Sequence, residues 1–504
     1  MKDMEAFSET IMKSRLYNED LAPVNAERRT WNFWHVAALW VGMAICIPTY
    51  TMASGLISQG MDWKQAILTI FLGNFIVLIP MTLNARPGTS YGIPFPVLLR
   101  SSFGTLGSNI AALMRGIVAC GWFGIQTWVG GSAIYGMAAV IFKFDPTMHA
   151  DLPIVGISQG ELLCFLIFWL INMFVILKGM ECIKWLETVS APFLIAVGLG
   201  LLVWAYQAAG GWGPILNQPS RFKTFSEFLP VFAPSLTAMV GFWSTLSLNI
   251  PDFSRYARSH KDQLLGQAIG LPGTMAFYSF IGVAVTSATV LVFGEAIWDP
   301  VSLLAKFDSP LLVFLSLLSL LIATLSTNIA ANVVSPANDF SNLSPKRISF
   351  KMGGMITGFI GVLIFPWKLY QDPNGYIFTW LIGYSALLGP IAGIMIADYF
   401  VYRKQRLSVR DLYKEQGQYT YYKGFNLIGL IVLVLSVLPN VPGFLATIKV
   451  LDSQQVPAWL LTSYGYAWFV GFALAFLLYL IGMKWFSQQS NKMKTLDSLV
   501  SADA

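Results

Sequence analysis

Charge is scarce in this chain. Asp, Glu, Lys and Arg make up 12% of the 504 residues, about half the share usual in soluble globular proteins. A water-soluble body of this length would have too few ionic groups to cover it, which argues against a soluble enzyme. Reactive groups are scarce too. The three histidines, His35, His149 and His260, lack partner spacing, and the four cysteines, Cys46, Cys120, Cys164 and Cys182, form neither a CxxC pair nor a Cys/His set. A disulfide framework and a zinc site are therefore not expected. P-loop, HExxH, Asp-rich diphosphate and Gly-rich dinucleotide motifs are missing, so no enzyme and no cofactor beyond a coupling ion are expected. Low-complexity runs and a solenoid period are also missing.

What the chain has in excess is apolar length. Hydrophobic residues reach 55% and aromatics 14%, with a mean hydropathy of +0.61. A helix needs about 20 mainly apolar residues to cross a bilayer, and twelve segments qualify: 33–57, 65–84, 107–141, 161–178, 185–206, 227–250, 264–293, 310–336, 353–367, 376–400, 425–448 and 460–483. The expected organisation is a polar N-terminal segment 1–32, a twelve-helix domain 33–485 and a disordered tail 486–504. No apolar core of a cleaved signal peptide precedes residue 33, so the first span is expected to act as the insertion signal.

The net charge of +6 does not point to nucleic acid, because the basic residues are dispersed among short connectors. Of the 32 Lys and Arg, 24 fall in one alternate set of connectors and termini. The other set holds seven, Lys64, Lys143, Arg221, Lys223, Lys306, Lys368 and Lys449, with Arg115 left inside the third span. That asymmetry predicts both termini in the cytoplasm of a multi-pass protein of the cell (inner) membrane. Gly and Pro recur in the first span (Gly42, Pro48, Gly55) and in the sixth (Pro234, Gly241, Pro251). Paired interruptions of this kind mark the broken helices of inverted repeats, although Gly and Pro are common in membrane helices generally.

Polar groups inside apolar spans are costly and invite a functional reading. In GWFGIQTWVGG, Trp122 and Gln126 lie four residues apart and share one helix face. An indole that stacks and an amide that both donates and accepts suit a flat, uncharged heterocycle; helix packing would use the same residues. Trp243, in the sixth span, could supply a second stacking surface. The eighth span carries Ser326, Thr327, Asn328 and Asn332, whose hydroxyls, with carbonyls freed at a helix break, would suit a hard cation or serve as interhelical glue. Asp252 and Asp398 precede Arg255 and Arg403 and are expected to form cytoplasmic capping or gating pairs. Glu187 is the one carboxylate to consider for proton coupling, and its place at a helix start favours a solvated role. Gly354/Gly358 and Gly389/Gly393 read as close helix packing.

Across nearly its whole length the chain resembles the nucleobase–cation–symport-1 transporters, which include uracil, cytosine, allantoin and hydantoin permeases. The resemblance rests on RLYNEDLAP, ERRTW, PFPVLLRSSFG, WFGIQTW, LNIPDFSRYA, STNIAANVVSPA, GPIAGIMIADYFVYRK, LSVRDLY and YTYYKGFN. LNIPDFSRYA and FPVLLRSSFG look most like the allantoin and uracil permease subgroup. The resemblance implies an all-α membrane fold of the leucine-transporter type: two inverted repeats of five helices, about 33–206 and 227–400, plus two C-terminal helices. It implies alternating access and coupling to sodium or a proton. It also implies that Trp122 and Trp243 stack on the substrate, that Gln126 and Asn332 hydrogen-bond it, and that sodium is held by Ser326 and Thr327 with carbonyls of Gly42, Ile45 and Ala323.

One position departs from the family. Where members commonly place an amide toward the substrate on the first helix, this chain has Cys46, a weak donor and acceptor. That weighs against a substrate needing strong hydrogen bonds there. Uracil or allantoin is the leading expectation for the substrate. An amino-acid/cation symporter of the same fold is the alternative, disfavoured by the bulk of MAICIP where a carboxylate would need open backbone amides. A channel would need a ring of pore-lining charges, and none is evident.

Overall fold

A computed structural model describes residues 9–145, 150–178, 195–370 and 379–502. Cys182, Glu187, His149 and the beginning of the fifth expected span lie outside the described residues.

The main helices are α1 (Phe33–Ala44), α2 (Ile47–Ser58), α3 (Trp63–Tyr91), α4 (Phe95–Phe103) and α5 (Ser108–Phe142). They continue with α6 (Gln159–Lys178), α7 (Ile195–Ala208), α8 (Phe225–Phe242), α9 (Ser244–Asn249) and α10 (His260–Phe293). The remainder are α11 (Pro310–Asn332), α12 (Val334–Leu343), α13 (Phe350–Leu363), α14 (Thr379–Tyr402), α15 (Leu427–Thr447) and α16 (Ala467–Ala502). Among the described residues, nine helical stretches are long and apolar enough to cross a membrane, the bent α1–α2 pair makes a tenth, and α7 and α13 are shorter apolar helices. Each expected span overlaps one of these.

Local chemistry sets the helix starts. Asn32 accepts from the backbone of Trp34 and His35 while the His35 ring faces the Asn32 amide, a reciprocal cap that accounts for this histidine. Asp62 with Gln65 does the same for α3, and Ser259 caps α10 through Asp262. On α3, Leu68, Phe71, Phe75 and Ile79 are exposed at helical spacing, an apolar stripe that the described residues leave uncovered and that fits immersion in lipid.

The helices pack in two groups. One joins α1, α2, α3, α8 and α10; the other joins α5, α6, α11, α12 and α13. Helix α14 packs on α16 beside them, and the expected role of Gly389 and Gly393 is seen there. A Cβ at Gly389 would lie 2.6 Å from the Trp468 carbonyl oxygen, so only glycine admits α16 at this distance.

The segment before α1 straps across the end of the molecule that carries the basic connectors. Val24 N–H donates to the Gly92 carbonyl at 2.9 Å, and Arg29 donates to the carbonyls of Val24 and Thr89 at 3.0 Å. Trp31 pairs with the backbone of Tyr256 and Arg258. Asn18 donates to the Pro345 carbonyl at 2.6 Å, and the Tyr413 hydroxyl donates to the Leu21 carbonyl at 2.6 Å. The strap thereby ties together loops from both helix groups.

Of the two expected carboxylate–arginine pairs, one forms. Arg403 Nε donates to Asp398 Oδ2 at 2.7 Å, and Ser101 and Tyr479 complete the carboxylate's partners at 2.9 and 2.8 Å. Asp252 and Arg255 are electrostatic neighbours without bonding each other. The Asp252 carboxylate accepts from Phe95 N–H at 3.0 Å, and Arg255 reaches the Asp20 carbonyl at 3.1 Å. The short helix Pro251–Ser254 that carries both ends turns them to different neighbours.

Candidate functional site

Two helix breaks face each other's groups. The first span bends by 57° between α1 and α2, at Ile45 (φ −82°, ψ 84°) and the extended Cys46. The break precedes Pro48, because a proline at the second helical position lacks an N–H that would be unpaired anyway and so starts a helix instead of ending one. The sixth span is interrupted at Trp243, between α8 and α9. Pro234 sits inside α8 and Pro251 opens the next short helix, so neither makes this break. At Gly241 the carbonyl accepts from the Tyr384 hydroxyl at 2.8 Å.

Between the breaks and helices α5 and α11 lies a cavity of about 30 Å³, lined among others by Met43, Cys46, Trp122, Gln126, Trp243, Leu246, Thr327 and Asn332. All five residues expected to face a substrate, Cys46, Trp122, Gln126, Trp243 and Asn332, are therefore brought together from four separate elements. The volume suffices for about two waters, well short of a heterocycle. Phe242 explains part of the shortfall: its ring meets that of Trp122 edge-on at 5.3 Å and that of Trp243 at 4.9 Å. Trp122 also packs edge-on against Trp380 and Tyr384. Among the described residues, two polar atoms here are buried without a partner, Gln126 Oε1 and Trp243 Nε1. The Cys46 thiol is 3.3 Å from the Thr49 hydroxyl.

Sequence reasoning missed Phe242, Leu246, Tyr384 and Trp380. The first two carry no signal beyond adjacency to Trp243, and the others reach the site only because α14 passes behind α8.

The expected cation ligands divide into two strands. In an unbroken helix the amides of Cys46 and Thr49 would bond the carbonyls of Gly42 and Ile45; here they turn to Ala44 and Cys46, both at 3.1 Å. The Gly42 and Ile45 carbonyls are thus released from the helix ladder. Ser326 and Thr327 are buried on α11, which packs against α1, and Thr327 also lines the cavity. Ala323 lies in the regular part of α11, so its carbonyl stays within the helix ladder. Oxygen donors of this kind fit a hard monovalent cation. Among the described residues no group of three His, Cys, Asp or Glu could hold a metal ion.

Two turns before Trp122 on α5 stands Arg115, which forms an ion pair with Asp339 of α12 at 3.2 Å, both fully buried. An arginine inside an apolar span signals such a partner, and Asp339 lies just past the STNIAANVVSPA motif.

The sequence profile described as permease for cytosine/purines, uracil, thiamine and allantoin matches residues 23–471. The chain is 42% identical to the purine-uracil permease NCS1 of Arabidopsis thaliana, over 98% of its own length and 81% of that protein's. It is likewise 42% identical to the allantoin permease of Bacillus subtilis, over 96% of each. Among solved structures it is similar to Mhp1, a nucleobase-cation-symport-1 family transporter in a closed conformation with bromovinylhydantoin bound. That likeness has a TM-score of 0.76 at 25% identity, over 94% of this chain and 96% of the other.

Proposed function

This chain belongs to the family of permeases for cytosine, purines, uracil, thiamine and allantoin, and on that premise we propose that it imports an uncharged heterocycle, uracil or allantoin, by cation-coupled alternating access. The observation that carries the proposal is the convergence of Trp122, Gln126, Trp243 and Asn332, with Cys46, on one cavity at two helix breaks. Trp122 and Trp243 offer ring faces, and Gln126 and Asn332 offer amides. In this reading the chain has twelve spans, in two inverted five-helix repeats plus two C-terminal helices. Both termini lie in the cytoplasm and the strapped end faces inward, following the basic-residue asymmetry.

Coupling is read at the released carbonyls. Gly42 and Ile45, with Ala323 and the hydroxyls of Ser326 and Thr327, would hold sodium between α1 and α11. The ion would favour the arrangement in which the two helix groups meet at the cavity. Removing sodium at fixed pH is expected to abolish concentrative uptake; unchanged uptake would reject sodium and leave the proton as coupling ion.

An amino-acid substrate is disfavoured by the start of α2. Pro48 has no N–H and the Thr49 amide is bonded to the Cys46 carbonyl, so a carboxylate would find only the Ile47 amide there. The deciding experiment is uptake of labelled uracil in permease-deficient cells, with allantoin, hydantoin, cytosine and amino acids as competitors. Saturable uptake blocked by heterocycles is expected; block by amino acids alone would overturn the proposal.

A further inference from the structure

Three side-chain amides run in a chain from outside the cavity into it. Asn172 stands on α6, which contributes no cavity-lining residue. Its Nδ2 donates to the Phe168 carbonyl at 2.8 Å, and its Oδ1 accepts from Asn328 Nδ2 at 3.1 Å. The Asn328 nitrogen also faces the Phe123 carbonyl at 3.3 Å and the Thr127 hydroxyl at 3.2 Å. Thr127 spends its own proton on the Phe123 carbonyl, at 2.7 Å, so toward Asn328 its oxygen is an acceptor. Three acceptors therefore surround one amide nitrogen. Turning the Asn328 amide over would set its oxygen against all three, so its orientation is fixed by its neighbours.

The next link follows from that orientation. Asn328 Oδ1 can only accept, and it does so from Asn332 Nδ2 at 3.0 Å. Asn332 lines the cavity, and with one N–H of its nitrogen given to Asn328 its amide is held in one orientation, with the oxygen as the acceptor it offers a ligand. Interhelical bonding, the usual task of asparagine in membrane bundles, accounts for a contact between α6 and α11. It does not require the contact to continue to Asn332 or to end in an acceptor.

We infer that Asn172, Thr127 and Asn328 are positioning residues that hold Asn332 as a hydrogen-bond acceptor, so that the transported ring is selected for an N–H directed at it. This rests on the reading of Asn332 as a substrate-facing residue. A ring whose N–H at that edge is replaced by N–CH₃ leaves a buried acceptor unpaired and adds a methyl group, which a site built to bond an N–H rejects by about tenfold or more.

The test is competition against whichever of labelled uracil, allantoin or hydantoin the wild type takes up, with the N-methyl isomers of the same ring as competitors. In the wild type, at least one isomer is expected to compete about tenfold or more weakly than the parent. In Asn328→Leu the Asn332 amide is free to turn, and that ratio is expected to fall to about threefold or less. Asn172→Leu and Thr127→Val lower it part-way, while Thr127→Ser, which keeps the acceptor, retains it. A merely structural role would lower uptake of parent and methylated ring alike and leave the ratio unchanged. An unchanged ratio in membrane-inserted Asn328→Leu overturns the inference. If that variant fails to insert, unchanged ratios in both Asn172→Leu and Thr127→Val do so. Wild-type uptake blocked equally by parent and every N-methyl isomer overturns the relay alone. No saturable uptake of any of the three rings by the wild type overturns the proposed transport function and the relay with it.

Discussion

Gln126 carries a buried side-chain oxygen with no hydrogen-bond partner among the described residues, a deficit worth about 1–3 kcal/mol that a substrate N–H would remove. Gln126→Leu is accordingly expected to raise KM for the transported ring about 10- to 100-fold while the protein inserts normally, as read by initial uptake rates and membrane level. Trp122→Ala is expected to abolish saturable uptake; near-normal uptake by an inserted variant would remove stacking from the account. Cys46 is the N-cap of α2 without a side-chain cap bond, and asparagine is a better N-cap. Cys46→Asn should therefore raise the apparent Tm in detergent, with a change in KM below about threefold, because the new amide is drawn to the helix start. Trp122, Gln126, Trp243 and Asn332 stand out in the sequence as polar or indole groups in apolar spans, but the pattern alone does not separate them from packing residues; the family resemblance does. Phe242 was not legible, since a phenylalanine in a membrane helix says nothing until the chain bends and sets its ring between two tryptophans.

At the scale of the element, the breaks decide what the residues can do. The sequence placed interruptions in the first and sixth spans and took Gly and Pro as their marks. The interruptions are there, but at Ile45–Cys46 and Trp243, because Pro48 and Pro251 begin helices and Pro234 is accommodated within one. Proline reports that a helix is restarting nearby, and the residue that actually unwinds is chosen by its partners. Tyr384 is such a partner, bonding the Gly241 carbonyl at 2.8 Å. Tyr384→Phe leaves that carbonyl only the Trp243 N–H and is expected to cost about 0.5–1.5 kcal/mol, seen as a lower Tm and reduced uptake without loss of insertion. The α14–α16 contact is legible directly from Gly389 and Gly393, because only small residues let backbones approach so closely.

For the whole molecule, the count of basic residues in alternate connectors predicted both termini on the cytoplasmic side, and composition alone predicted a membrane-embedded helical body. How the helices divide into two groups, with the cavity where they meet, was beyond any pattern of period or charge, since it depends on contacts between spans far apart in sequence. The Arg115–Asp339 pair belongs to this scale, joining α5 to α12 with Arg115 Nε and Nη2 and Asp339 Oδ1 left unpaired. Removing one partner strands a buried charge, so Arg115→Leu is expected to destabilise the protein by about 3–5 kcal/mol, whereas Arg115→Leu with Asp339→Leu should recover most of that loss. Thermal unfolding in detergent would measure both; equal Tm for the single and double variants would contradict the pairing.

The strap has a bearing on how the protein is made. Leu21 and Asn18 leave the ribosome before α1, whereas their partners Tyr413 and Pro345 are among the later residues to be synthesised. Chains emerge from the N-terminus onward, so Val24, Arg29 and Trp31 can meet Gly92, Thr89 and Tyr256 early, whereas the stretch around Asn18 and Leu21 waits unseated and closes only over a nearly finished body. A fully seated strap is thus a mark of completion. Chains stopped before residue 345 should be open to added protease around Asn18 and Leu21, and full-length chains should resist it there.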